Sequence, residues 1–134
     1  MTERRMQIGE VAERTGLSLR TIRHYEEVDL VIPSARSKGG FRLYTASDVD
    51  RLMVVRRMKP LGFSLDEMRD LLEITDRLSG TAPGTLTAEE RDRLRERLDS
   101  YRKIADARCE TLRAQLLAAE DFAATLRRRL DDQA

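Results

Sequence analysis

The chain has little of several residue types that decide protein class. Its 134 residues include one cysteine, which excludes an intrachain disulfide framework and indicates a reducing compartment. No apolar run is long enough for a membrane span, and the N-terminal MTERRMQIGE contains no hydrophobic signal segment. We therefore expect a cytoplasmic protein with no membrane partner. Aromatic residues make up only 4% and charged residues 37%, which favours a helical protein with a large polar surface.

The sequence also lacks a catalytic or metal-binding constellation. The only histidine, His24, has no cysteine or carboxylate at ligand spacing, and no glycine-rich phosphate loop follows a strand. We expect no enzyme activity, no metal site and no cofactor.

Positive charge is unevenly distributed along the chain. The net charge is only +1, but residues 1–60 contain twelve Lys and Arg against eight Asp and Glu. An excess of positive charge in the N-terminal half suits binding to nucleic acid, although a surplus of a few charges is common on protein surfaces.

The N-terminal segment has the residue spacing of a helix-turn-helix. Two steeply crossing helices need a small residue at the crossing, a residue that accepts positive φ in the turn, and an apolar residue facing back. Ala12, Gly16 and Ile22 stand at these three positions. The pattern predicts a first helix that ends at Gly16 and a second helix immediately after it.

The second helix is expected to be amphipathic. Ser18 is its N-cap, and Leu19, Ile22 and Val28 are predicted to face the core. The outer face is then formed by Arg20, Thr21, Arg23 and His24. His24 has two interpretations, a phosphate or base contact and a partly exposed residue without a special role.

A basic hairpin is predicted next. In SARSKGGFRLYTASD the Gly39–Gly40 pair allows a tight turn with positive φ, and Arg36, Lys38 and Arg42 flank it. Such cations are typical of contacts to a phosphate backbone, which position a protein without reading bases.

Two capped helices complete the N-terminal domain. Thr45, with an acidic residue at Asp48, predicts a helix that ends at Gly62, and Ser64 and Glu67 form the capping box of another helix. Arg56, Arg57 and Lys59 are further candidates for phosphate contact, with a solvated face as the alternative.

A long helix follows the only convincing linker. No glycine or proline interrupts the chain from Thr87 to Leu130, which predicts a helix of roughly 40 residues and roughly 60 Å. Apolar residues recur at steps of three and four, with one displaced step near Cys109, and so form a coiled-coil seam. The predicted dimerisation positions are Leu94, Leu98, Tyr101, Ala105, Cys109, Leu112, Leu116, Ala119, Ala123, Leu126 and Leu130. The predicted organisation is a DNA-binding domain (1–78), a linker (79–86), a dimerisation helix (87–131) and a short tail (132–134).

Periodicity alone does not show whether the two helices of the coiled coil run parallel or antiparallel. Cys109 has two interpretations. It is a small apolar residue of the seam, or it meets its copy across the dyad of a centred antiparallel dimer and oxidises. With a single thiol in the chain, a metal site built from several cysteines is not expected.

The segment from Ile8 to Glu73 resembles the MerR family of bacterial transcription regulators. The resemblance rests on five features in one order: the helix pair, the R-x-Y-E stretch, the Leu30 to Pro33 exit, the Gly-aromatic-Arg-x-Tyr wing and the LGFSLDE junction. His24, where the family often has an aromatic residue, and Phe41, in place of the usual tyrosine, are small departures. The resemblance implies an all-α fold with a small β-wing, a winged helix-turn-helix followed by an antiparallel coiled coil.

The resemblance also implies a function. A homodimer would bind a pseudo-palindromic operator in an overlong promoter spacer and distort it for RNA polymerase. The implied DNA-binding residues are Ser18, Arg20, Thr21, Arg23, His24, Tyr25, Arg36, Lys38, Gly40, Arg42 and Tyr44, of which Tyr25 and Tyr44 have a core role as the alternative. Competing hypotheses are a purely architectural or repressing DNA binder and a protein-interaction adaptor. Only about four residues follow Leu130, so we expect no separate effector domain, and the sequence identifies neither a signal nor target genes.

Overall fold

The computed structural model describes residues 4–80 and 84–134. Helices and short strands alternate at the N-terminus, and one long helix forms the C-terminal part. The elements are β1 (Met6–Gln7), α1 (Ile8–Thr15), α2 (Leu19–Glu27), β2 (Ala35–Arg36), β3 (Arg42–Tyr44), α3 (Ala46–Met58), a 3-10 turn (Lys59–Leu61), α4 (Leu65–Ser79) and α5 (Ala88–Asp132).

The strands form one antiparallel sheet in the order β1-β3-β2. Met6 pairs with Tyr44, and Ala35 pairs with Leu43 on the other side of β3. The predicted hairpin is confirmed as β2 and β3. Strand β1 was not predicted, because two residues are too few to show an alternating pattern.

Helix boundaries follow the local signals of the sequence. Gly16 ends α1 at φ 72°, a conformation that is costly for residues with a Cβ, and its N–H donates to the Ala12 carbonyl. Each of the other predicted caps accepts a hydrogen bond from a backbone N–H of the first turn. These caps are Ser18, Thr45, Ser64 and Thr87.

The core of the N-terminal domain lies between α1–α4 and the sheet. Ile22 of α2 is fully buried, and Val28 packs at the edge of the core, as predicted. Leu19 is 40% exposed, so its predicted inward position is wrong. It is the first residue of α2, and the buried residues of this helix, Ile22 and Tyr25, lie further along it.

The first half of α5 packs on the N-terminal domain of its own chain. Leu94 is buried, the Tyr101 and Phe63 rings lie 6.0 Å apart, and the Arg108 guanidinium stacks over Phe63 at 4.3 Å. The Arg108 Nη1 also donates to the Leu61 carbonyl at 2.9 Å. In this half of the predicted dimerisation stripe, Leu94 is therefore buried, and Tyr101 and Ala105 are partly buried, within the chain.

The second half of α5 extends away with its apolar side chains exposed. Ile104, on the packed half, is also partly exposed. Further along, the exposed large side chains are Leu112, Leu116, Leu117, Phe122, Leu126 and Leu130. Of the predicted linker, residues 81–83 lie outside the described residues. Across the described ranges no helix combines the length and the apolar character that crossing a membrane requires.

Candidate nucleic-acid interface

Helix α2 presents a polar outer face whose first turn is held by its own side chains. The Thr21 N–H donates to the Ser18 Oγ at 3.1 Å, and the Ser18 hydroxyl donates to the Thr21 Oγ1 at 2.8 Å. Arg20, Arg23 and His24 are exposed. The outer residues predicted for this helix thus lie together on its solvent side, although Thr21 is half-buried.

The arginines and lysines of the N-terminal domain fall into two groups. Several are paired with carboxylates, such as Arg51 with Asp76 and Arg77 with Glu90. Others form no ion pair or hydrogen bond with any described residue. These unpaired cations are Arg5, Arg20, Arg23, Lys38, Arg56, Arg57 and Lys59.

Arg56 connects α3 to the helix-turn-helix. Its Nη2 atom would lie 3.5 Å from a Cβ placed on Gly16, so the guanidinium lies beside the turn between α1 and α2. The last turn of α3 therefore adds a cation next to the start of α2. Arg57 and Lys59 follow it on the surface.

The wing turn has a compact geometry. Gly40 has φ 83°, its N–H donates to the Ser37 carbonyl at 2.9 Å, and the Ser37 N–H donates to the Phe41 carbonyl at 2.9 Å. Lys38 and the Phe41 ring are both exposed at the tip. The turn accordingly presents one cation and one aromatic ring to solvent.

The start of the wing is attached to α3 by a buried carboxylate. Asp48 accepts hydrogen bonds from the Ser34 hydroxyl at 2.6 Å and from the Thr45 N–H at 2.9 Å through the same Oδ2 atom. The helix cap thus also holds the segment that leads into β2.

Glu26 joins α2 to both strands of the wing. Its Oε1 atom accepts a hydrogen bond from Arg36 at 2.6 Å, and its Oε2 atom accepts one from the Arg42 Nε. The hydrogen bond to Glu26 raises the pKa of the Arg42 guanidinium. Arg36 and Arg42, predicted as phosphate contacts, are thus already paired with a carboxylate in the free chain.

Glu26 was not among the predicted site residues. Two sequence signals point to it. Glu26 is the last residue of the R-x-Y-E stretch, and it lies in the last turn of a helix, where a carboxylate faces the negative end of the helix dipole and needs a cation nearby.

Tyr25 and Tyr44 lie in the core and not on the surface. Both rings are buried, and burial raises the pKa of each hydroxyl. The Tyr44 hydroxyl has no hydrogen-bond partner among the described residues. A direct phosphate contact by these rings is not compatible with their burial, whereas Tyr44 supports the wing as the last residue of β3.

The described residues contain no group of three or more His, Cys, Asp or Glu arranged to hold a metal ion. Cys109 is a half-buried free thiol on α5.

Comparison with known families agrees with this geometry. Residues 6–74, from β1 into α4, match the family described as MerR HTH family regulatory protein, and residues 49–131 match the family described as MerR, DNA binding. The chain belongs to the MerR family. Several of its matched relatives are HTH-type transcriptional regulators by name, and such regulators are not enzymes as a family.

Two curated MerR relatives illustrate the range of similarity. The HTH-type transcriptional regulator CueR of Yersinia pestis is 45% identical over 69 residues, which cover 52% of this chain and 50% of that protein. The HTH-type transcriptional regulator YfmP of Bacillus subtilis is 31% identical over 118 residues, 87% of this chain and 84% of YfmP. Against other curated relatives the match spans only 34% or 26% of their length.

A solved MerR family structure shares the fold. HiNmlR, a MerR family regulator lacking the sensor domain and bound to promoter DNA, superposes with a TM-score of 0.68 at 24% identity. The match covers 88% of this chain and 80% of HiNmlR. At this identity the likeness supports the fold of the winged domain and the long helix.

Proposed function

We propose that this chain regulates transcription by binding double-stranded promoter DNA as a homodimer. The observation that carries the proposal is the set of unpaired cations on α2, at the wing tip and at the end of α3. An unpaired cation can neutralise a phosphate and release a counterion without first breaking an ion pair. Curated relatives that are HTH-type transcriptional regulators by name support the same function.

Helix α2 is the recognition helix in this proposal. Arg20, Thr21 and Arg23 enter the major groove, where arginine and threonine side chains read base edges. Lys38 at the wing tip and Arg56 beside the turn contact the flanking backbone and set the orientation of the helix.

The exposed half of α5 is the dimer interface. Read in opposite directions, the seam places Leu112 opposite Leu130, Leu116 opposite Leu126 and Ala119 opposite Ala123. The small alanines at the centre permit close approach of the two helices. An antiparallel pair of this register presents two winged domains to a pseudo-palindromic operator.

This register separates the two copies of Cys109. Each thiol lies twelve residues from the centre of the interface near Asp121. The rise of a helix then places the two thiols about 36 Å apart along the axis, which is too far for a disulfide. In this dimer Cys109 is a small apolar side chain that contributes only to packing.

The dimer acts at promoters in the cytoplasm, where it distorts an overlong spacer for RNA polymerase. A symmetric dimer can distort DNA because the stiff α5 helices hold the two winged domains at a set separation.

A binding experiment tests the proposal. Duplexes selected from a random pool by the wild-type chain are titrated at about 50 and about 200 mM salt. We expect affinity to fall at least about 100-fold between these conditions, because several phosphates are neutralised. Arg20→Ala weakens binding about tenfold.

Arg102→Ala is the matched control, because it removes the same charge from an arginine already paired with Asp99 and Asp106. It leaves binding to the selected duplexes unchanged. Weak binding that does not respond to salt contradicts the proposal and favours an adaptor that binds a partner helix through α5.

A further inference from the structure

Glu26 stands where electrostatics disfavours a carboxylate. It is the penultimate residue of α2, close to the negative end of the helix dipole. It also carries negative charge on an element that the proposed function brings against phosphates. The side chain is only 18% exposed, so it is not a freely solvated surface acid.

The contacts of Glu26 explain why a carboxylate stands there. Its two oxygens accept hydrogen bonds from two different strands, one from Arg36 on β2 and one from Arg42 on β3. Arg36 also donates to the Gly40 carbonyl at 3.1 Å, across the wing turn. One side chain of the recognition helix therefore contacts both strands, and through Arg36 it is linked to the tip.

The carboxylate of Glu26 offsets the repulsion between Arg36 and Arg42. They are opposite each other in the register of β2 and β3, and like charges directly opposite in a sheet repel. The wing itself is short, with two residues in β2 and three in β3, and so has few ladder hydrogen bonds to define its direction. The ion pairs to Glu26 are the polar contacts that set the wing against α2.

We propose that Glu26 is a positioning residue for DNA recognition, which holds the wing at the distance and angle from α2 that lets both elements contact one duplex. This inference rests on the proposed function. It predicts that Glu26 favours binding to the correct sequence even though its charge opposes binding to any DNA.

Glu26→Gln and Glu27→Gln separate positioning from charge. Both variants remove one negative charge from the same turn of α2. Glu27 is exposed and has no hydrogen bond or ion pair with a described residue. It acts on Arg42 only through its charge, so Glu27→Gln removes a charge without removing a contact. The full-length variants are titrated with duplexes selected by the wild-type chain and with shuffled duplexes of the same composition.

We expect Glu27→Gln to tighten binding to both kinds of duplex by a similar factor. Glu26→Gln weakens binding to the selected duplexes and not to the shuffled ones, so the ratio of the two affinities falls about tenfold, the effect of one lost charge-assisted hydrogen bond. A partly unfolded variant loses active protein toward both duplexes alike, which leaves this ratio unchanged.

The inference is overturned if Glu26→Gln keeps the wild-type ratio of the two affinities, whatever its stability. If the wild-type chain itself does not distinguish selected from shuffled duplexes, the proposed function fails and this inference fails with it. The two failures are distinguished by the wild-type titration alone.

Discussion

Two tyrosine hydroxyl groups differ in their surroundings. The Tyr101 Oη donates to the Asp70 Oδ2 at 2.7 Å, and Arg97 donates to the other oxygen of the same carboxylate. The Tyr44 hydroxyl is buried without a partner among the described residues. The same chemical change at the two positions therefore has different consequences.

Tyr101→Phe is expected to lower the free energy of unfolding by about 1 kcal/mol, because it removes a hydrogen bond to a carboxylate. Tyr44→Phe is expected to leave the free energy of unfolding unchanged or to raise it, because it removes an unpaired buried hydroxyl. Urea denaturation of both variants measures the two effects. A loss of DNA affinity in Tyr44→Phe without a loss of stability would place the hydroxyl on a phosphate and contradict its burial.

The contribution of Tyr101 depends on pH. Burial and the hydrogen bond to Asp70 raise the pKa of Tyr101 from 10.0 to about 12. Because the folded-state pKa is the higher one, the contribution is complete below pH 10 and declines as the pH rises toward 12. The stability difference between wild type and Tyr101→Phe should therefore be smaller at about pH 11 than at about pH 8. An equal difference at both pH values contradicts this assignment.

At the scale of elements, the end of α1 determines where α2 begins. Gly16 adopts φ 72° at the turn, whereas Gly9 lies in α1, where a Cβ added to it would meet no atom within 4 Å. One glycine is needed for its backbone conformation and the other is not.

Gly16→Ala is expected to destabilise the fold by about 1–2 kcal/mol, because alanine disfavours the left-handed region. Gly9→Ala is expected to stabilise it by up to about 1 kcal/mol through helix propensity. Thermal or urea unfolding of the pair tests the assignment. Equal effects of the two substitutions would show that the positive φ of Gly16 is not the reason for a glycine at this turn.

At the scale of the whole molecule, the apolar face of α5 has one half that its own domain covers and one half that is exposed. Leu94 and Tyr101 pack on the winged domain of the same chain, and the face continues into Leu112, Leu116 and Leu126, which are exposed. Leu117 is also exposed, but it lies roughly 100° around the helix from Leu116. Substitutions at these two neighbouring leucines therefore test whether the dimer forms through the face of Leu116.

Leu116→Arg is expected to weaken dimerisation at least about tenfold, because it buries a charge in the seam. Leu117→Arg, 68% exposed in wild type against 59% for Leu116, leaves the dimer intact. Analytical ultracentrifugation of both variants measures the dissociation constants. Dissociation of the Leu117→Arg dimer together with an intact Leu116→Arg dimer would place the interface on the face of Leu117 and contradict the proposed seam.

The winged helix-turn-helix, the wing turn, the start of α3 and the bounds of α4 and α5 were predictable because they depend on nearby residues. Helix α3 ends at Met58, before the predicted end at Gly62, and residues Lys59–Leu61 form a 3-10 turn with a proline in it. A cap such as Ser64 or Thr87 bonds to an N–H three residues away, and Gly16 ends α1 by its own φ. The position of Leu19 was not predictable in this way. Periodicity assigns a residue to a side of a helix, but it does not show whether another element covers that side.

The amino-acid sequence by itself determined where the helices start and stop, where positive charge concentrates and which face of α5 is apolar. Only the tertiary structure decided that Glu26 bonds to residues ten and sixteen positions away and that Tyr101 bonds to one thirty-one positions away. It also decided which half of the apolar face of α5 its own domain covers. The physical reason is that leucines of one seam suit an intrachain or an interchain partner equally well, and only the path of the folded chain distinguishes them.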